Sequence, residues 1–155
     1  MIQRPQSVFL LIVMLSVLVV LSKPIWIQKL GDTLWTLDAW RLQVCNTTQA
    51  QEIQHLWPYA GIALGTLVVG FNSVYALLRY DNRKLQIKLV AGSSLLMTCV
   101  LAVVLYFIAC KRSPLAVQEH GIGLYALWIG VLANTMASRC IRRDDRRVRS
   151  ADRVR

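Results

Sequence analysis

Four uncharged apolar runs divide the chain, at residues 5–22, 56–78, 89–110 and 121–138. A run of roughly 20 apolar residues, rising about 1.5 Å each, spans the ~30 Å hydrocarbon core of a bilayer. No Asp, Glu, Lys, Arg or His lies inside any of these runs. A single Lys or Arg near the bilayer centre costs about 2.5–3.5 kcal/mol on insertion scales, so this segregation is what a membrane-spanning chain requires. The pattern predicts an all-α membrane protein: a four-helix transmembrane bundle forming a single domain over residues 1–155. Composition agrees, with 55% hydrophobic residues, 17% charged residues and a mean hydropathy of +0.46. Soluble helices are amphipathic, with one polar face, and these runs have none.

The first run follows a basic residue, Arg4, in the order of a signal peptide. It exceeds the usual apolar region of about 7–15 residues, and no small-residue cleavage site precedes Lys23, so a retained anchor is expected. Basic residues then set the orientation. Arg4, the 79–88 linker with Arg79, Arg83, Lys84 and Lys88, and the arginine-rich tail 139–155 fall on one side of four crossings. Lys23, Lys29, Arg41, Lys111 and Arg112 fall on the other. The positive-inside bias puts both termini in the cytoplasm, and the net charge of +10 needs no nucleic acid to explain it.

The loops are unequal. Residues 23–55 form a long outer loop, whereas 79–88 and 111–120 are short connectors, which favour antiparallel neighbours. Within the long loop, residues 38–45 alternate with Trp40, Leu42 and Val44 on one face, residues 25–30 are β-prone, and Gly31-Asp32 offers a turn. A small β-hairpin over the outer helix ends is expected. A short helix capped by Thr47 or Thr48 is expected to run through Gln54.

Trp26, Trp35, Trp40 and Trp57 all lie in or beside this loop. An interfacial aromatic belt accounts for them, and so does an outer-loop interface for a partner or ligand. In the runs, Gly61 and Gly65 form a GxxxG step, with Thr66 and Gly70 extending the small residues. Gly130, Asn134 and Ser138, flanked by Ala133 and Ala137, repeat the spacing in the last run. Small residues four apart let helices approach closely in lipid. The second and fourth helices are expected to pack through them, with Asn72 and Asn134 bonded to each other; a contact between subunits is the alternative.

Nothing here marks a catalytic or metal site. His55 and His120 lack metal-ligand spacing, and Glu119 beside His120 is a neighbouring pair rather than a constellation. No enzyme activity, catalytic residue, metal or cofactor is expected, and intramembrane ionisable groups, the usual mark of transport, are missing. Of Cys45, Cys99, Cys110 and Cys140, only Cys45 and Cys110 are placed to meet on an oxidising side. Asn46-Thr47-Thr48 matches a glycosylation sequon, a frequent chance pattern. In the tail, Arg142, Arg143, Asp145, Arg149, Asp152 and Arg153 mix both charges. A stop-transfer anchor accounts for the basic residues alone. The acids suit a continuing helix that pairs Asp145 with Arg149 and Asp152 with Arg155, or a docking surface.

Met1-Ile2-Gln3-Arg4, Gly123-Leu124-Tyr125-Ala126-Leu127, Leu132-Ala133-Asn134, Ile141-Arg142-Arg143-Asp144 and Arg149-Ser150-Ala151-Asp152-Arg153 resemble an uncharacterised family of small four-span inner-membrane proteins of Bacteroidota. The resemblance implies a bacterial cytoplasmic (inner) membrane location, four helices and no assigned activity. The outer loop also resembles the claudin-like topology, with one cysteine instead of a pair. The expectation is an accessory or scaffolding subunit that binds another membrane protein, or itself as a homo-oligomer. The alternative is a lipid- or hydrophobe-binding protein with a Trp-rich outer lid. Membrane lipids are the expected surroundings.

Overall fold

The computed structural model describes residues 5–46, 51–78 and 83–153, with side chains at 7–46, 53–78 and 85–144. Its elements run α1 (Pro5–Ser22), β1 (Trp26–Leu30), β2 (Thr33–Leu37), β3 (Leu42–Asn46), β4 (Gln51–His55), α2 (Ala60–Leu78), α3 (Arg83–Lys111), β5 (Val117–His120) and α4 (Ile122–Arg153). Helix is the economical conformation for the apolar runs, because it satisfies every backbone polar group within the segment. Three helices, Ala60–Leu78, Leu85–Lys111 and Ile122–Asp144, are long and apolar enough to cross a membrane; Ser7–Ser22 is apolar but shorter.

The expected all-α four-helix bundle with a hairpin is therefore corrected. Among the described residues, four helices combine with a five-stranded antiparallel sheet in the order β4-β3-β2-β1-β5, and three of the helices, not four, are long and apolar enough to cross a membrane. Gly31-Asp32 does make the first turn, joining β1 to β2 with Leu30 opposite Thr33 and Gly31 at φ 56°. That positive φ suits a two-residue hairpin turn. The rest of the loop goes further than the hairpin. Residues 38–41 form the second turn, closed by the Asp38 N–H donating to the Arg41 carbonyl at 2.9 Å, so Trp40 sits in a turn and not on a strand with Leu42 and Val44. The expected short helix is replaced by β4, and its cap at Thr47 or Thr48 lies outside the described residues. β5 comes from the last connector, with Trp26 opposite His120 in register. Local periodicity cannot reveal a partner so distant in the chain.

Register assigns the two faces of the sheet. Trp26, Leu37 and Leu42 align across three strands, and with Gln28 they are buried against the helix ends. Ile27, Lys29, Leu34, Thr36, Gln43 and Cys45 lie on the opposite, more open face. The buried side continues without a break into a helix core that includes Val13, Val17, Ile62, Met97, Val104 and Leu127. Backbone bonds join sheet to helices: the Gly121 N–H donates to the Ile25 carbonyl (3.0 Å), Gly123 to Pro24 (3.0 Å) and Ala63 to Ala39 (3.0 Å). At the other end, Leu10, Ala76, Val90, Ala137 and Ile141 form a second cluster. The start of α1 and the end of α4 therefore lie at the end of the helices remote from the sheet.

Among the helices, α1 packs most extensively against α4, and α3 packs against both α2 and α4. α4 is one unbroken helix of 32 residues, about 48 Å long. It continues beyond the apolar run into the arginine-rich segment instead of ending at residue 138.

Candidate functional site

The small-residue positions act within the molecule. A Cβ on Gly65 would lie 2.7 Å from Val100 of α3, and one on Gly70 would lie 3.1 Å from Val17 of α1. Gly130 is closed in by Met97 of α3 and Ser16 of α1. Gly61, the first half of the GxxxG step, faces open space. The glycines of α2 thus meet α3 and α1, where packing against α4 was expected. Asn134 is fully buried, yet its amide makes no hydrogen bond among the described residues, to the half-buried Asn72 or anything else.

The tryptophans separate by role. Trp26 is a core residue, 1% exposed, beneath the sheet. Trp35 is half-buried against the same core, with Lys111 Nζ 5.9 Å from its ring centroid. Trp57 is 79% exposed. Trp40 is fixed at the end of α1, its indole Nε1–H donating to the Leu21 carbonyl at 3.3 Å.

His55 and His120 occupy opposite edges of the sheet, at the ends of the row running through Trp26, Leu37 and Leu42. They share no site, and no metal-holding cluster of His, Cys, Asp and Glu occurs among the described residues. Cys45, Cys99, Cys110 and Cys140 are all free thiols, so Cys45 and Cys110 do not pair. Arg142 and Arg143 are exposed on α4. The side chains of Asp145, Arg149, Asp152 and Arg153, and the pairs expected among them, lie outside the described residues.

The chemistry gathers where α1 ends. A cleft of about 400 Å³ opens between the last turn of α1, the β2–β3 turn and Leu56. Leu21, Trp40 and Leu56 form its apolar wall, and Lys23, Asp38 and Arg41 supply its charges. Arg41 is held in place: its Nη1 donates to Gln54 Oε1 at 2.7 Å. In the Gln43 amide orientation that satisfies both partners, the amide oxygen also accepts from Arg41 Nε at 2.9 Å and Nη2 at 3.1 Å. Asp38 is half-buried. Burial pushes its carboxyl above the ordinary range, and the neighbouring Arg41 charge only partly offsets this. The charge facing Asp38 is thus that of Arg41, and Lys23 lines the same cleft. The end of α1 has no basic residue in its last turn. Its carbonyls are partly satisfied, with Ser22 Oγ–H donating to Leu18 (2.7 Å) and the Lys23 N–H to Val19 (2.9 Å).

Of this group only Trp40 stands out in sequence. Lys23, Asp38 and Arg41 are brought together by the β2–β3 turn folding back onto α1. The available signal was an acid at position 38 inside an otherwise apolar, β-prone stretch.

The chain matches the family described as Domain of unknown function (DUF4293) over residues 2–154. It belongs to that family. No curated protein matches it in sequence. The match takes in all of the elements above, so helices, sheet and cleft fall inside one family domain.

Proposed function

We propose that this is an integral membrane protein of the bacterial cytoplasmic membrane, serving as an accessory subunit that binds another membrane protein through its sheet. The start of α1 and the end of α4 face the cytoplasm, because α1, though shorter than the three long helices, runs beside α4 from one core cluster to the other; the sheet lies at the opposite surface. Three lines support insertion and orientation. Three helices have the length and apolarity to cross. Their outward residues are large and apolar, with Leu64 at 67%, Phe71 at 73%, Leu95 at 69% and Tyr106 at 66% exposure. Soluble monomers rarely expose such continuous apolar surface. Basic residues crowd the segments flanking the start of α3 and the end of α4, where anionic lipid and the positive-inside bias hold them.

The observation that carries the accessory role is the open face of the sheet. Fixed to the helices by backbone bonds, it holds Ile27, Lys29, Leu34, Gln43 and Cys45 on a firm platform. A rigid mixed surface lowers the ordering cost of docking. Purification from native membranes in mild detergent tests the role. The expected result is a stoichiometric companion that Leu34→Asp releases without lowering the yield of folded protein. A clean monomer throughout rejects it.

The cleft beneath Trp40 favours a second reading, a protein that holds one amphipathic lipid at the membrane surface. Its volume falls in the range of about 300–1,000 Å³ typical of small-molecule sites, and it joins an apolar wall to fixed charges.

A further inference from the structure

The cleft specifies more than a generic lipid. Its charges are of both signs: two cations, Lys23 and Arg41, line it with one acid, Asp38, on which the Arg41 charge acts. Lys23 and Arg41 offer donors to an anion, and Arg41 is preset by Gln54 and Gln43. Asp38 offers a carboxylate to a cation, beside the C-terminal end of α1, where the helix dipole also favours positive charge. A ligand satisfying all of these carries an anion and a hydrogen-bonding cation a few bonds apart.

The surface below the cleft supplies the remaining constraint. Leu11 (44% exposed), Leu15 (62%) and Leu18 (59%) run down α1 in line with Ser22, another cleft residue. At 3.6 residues per turn, these positions share one helix face. The cleft thus sits at the head of an open apolar stripe, directed along the helix and away from the sheet. That is the geometry of a polar headgroup followed by acyl chains.

We propose that the cleft binds a phospholipid of the ethanolamine class, its phosphate between Lys23 and Arg41, its primary ammonium on Asp38, and its chains along Leu18, Leu15 and Leu11. The inference rests on the second reading above, that the protein holds a lipid at the membrane surface. A primary ammonium donates hydrogen bonds to Asp38, whereas a trimethylated choline has none to donate. A charge-assisted hydrogen bond of this kind sets a preference of about tenfold or more.

The full-length protein in lipid discs, released for native mass spectrometry, provides the test. With phosphatidylethanolamine and phosphatidylcholine supplied equally, one ethanolamine lipid is expected to stay bound, about tenfold over the choline lipid. Asp38→Asn should bring that ratio close to one while phospholipid is still retained. Lys23→Gln should weaken retention of both lipids, and Asp38→Glu should keep the preference. Soluble glycerophosphoethanolamine should fail to displace the lipid; displacement at equal concentration would assign the site to a free headgroup compound and overturn the lipid assignment. Equal retention of both lipids by the wild type overturns the headgroup proposal and needs no variant that folds. Retention of no lipid in any disc rejects the lipid-holding reading itself, and release by alkaline carbonate rejects membrane insertion, so the failures are distinct.

Discussion

Asn134 is fully buried on α4, yet neither its Oδ1 nor its Nδ2 finds a partner among the described residues. A buried amide left unsatisfied costs about 1–3 kcal/mol. Two other buried polar residues avoid this by bonding to their own helix: Thr66 Oγ1–H donates to the Ile62 carbonyl at 2.8 Å and Ser73 Oγ–H to Val69 at 2.8 Å. Asn134→Thr keeps nearly the same volume and allows the same back-bond. The variant should be more stable by about 1 kcal/mol, read as a higher melting temperature in detergent. A lower one would mean that the amide does something a hydroxyl cannot. Asp38 makes a prediction of opposite sign to most acids. Burial raises its folded-state pKa, so above the ordinary carboxylate range the folded protein still holds a proton that the unfolded chain has released. The stability it contributes is present below the unfolded pKa and lost as pH rises through the folded one. In lipid-depleted detergent, Asp38→Asn should gain on the wild type as pH climbs through and above the ordinary carboxylate range. A gap between the two proteins that stays constant across that range would show that Asp38 ionises as it would in water.

Among the elements, β5 is the smallest and the most dependent on one seam. It reaches β1 only because α4 begins against the Pro24–Ile25 backbone, where a Cβ on Gly121 would overlap the Pro24 carbonyl. Gly123 faces the same backbone, with a Cβ there 2.9 Å from the Lys23 carbonyl oxygen. Backbone cannot yield as a side chain can, and overpacking of this kind costs about 1–3 kcal/mol. Gly121→Ala should therefore loosen the β1–β5 pairing first, and hydrogen exchange should rise at β5 and β1 while β3 keeps its protection. Uniform exchange across the sheet would mean that the seam carries no special share of its stability. The helices show the opposite economy. α2 tolerates close neighbours at Gly65 and Gly70, whereas Gly61, four residues before Gly65, faces open space. Spacing alone identifies a face; the neighbour decides which members of it are used.

Across the whole molecule, the sheet lies at one end and the start of α1 and end of α4 at the other, so the proposed topology has a direct reading. In a cysteine-free background, Leu115→Cys beside β5 should react with an impermeant thiol reagent in intact cells, and Ser150→Cys near the end of α4 should react only after the membrane is opened. The reverse pattern would invert every surface assignment made above. Much of this arrangement was legible in the residues themselves: the apolar runs as helices and Gly31-Asp32 as a turn. These follow from local chemistry, because an uncharged run needs no distant partner to become a helix and Gly accepts positive φ wherever it stands. The four-helix bundle with a lone hairpin did not survive, and the reason lies in distance along the chain. Val117–His120 becomes a strand only by pairing with β1, and Gln51–His55 only by pairing with β3. Neither segment alternates strongly enough to announce itself. The cleft belongs to the same class of fact, since Lys23, Asp38 and Arg41 acquire a common purpose only when the second turn of the sheet folds onto the end of α1. Hydropathy and turn chemistry settled which segments are helical and where the first two strands turn. Long-range backbone pairing alone decided that a sheet crowns the helices and that these charges share one cleft.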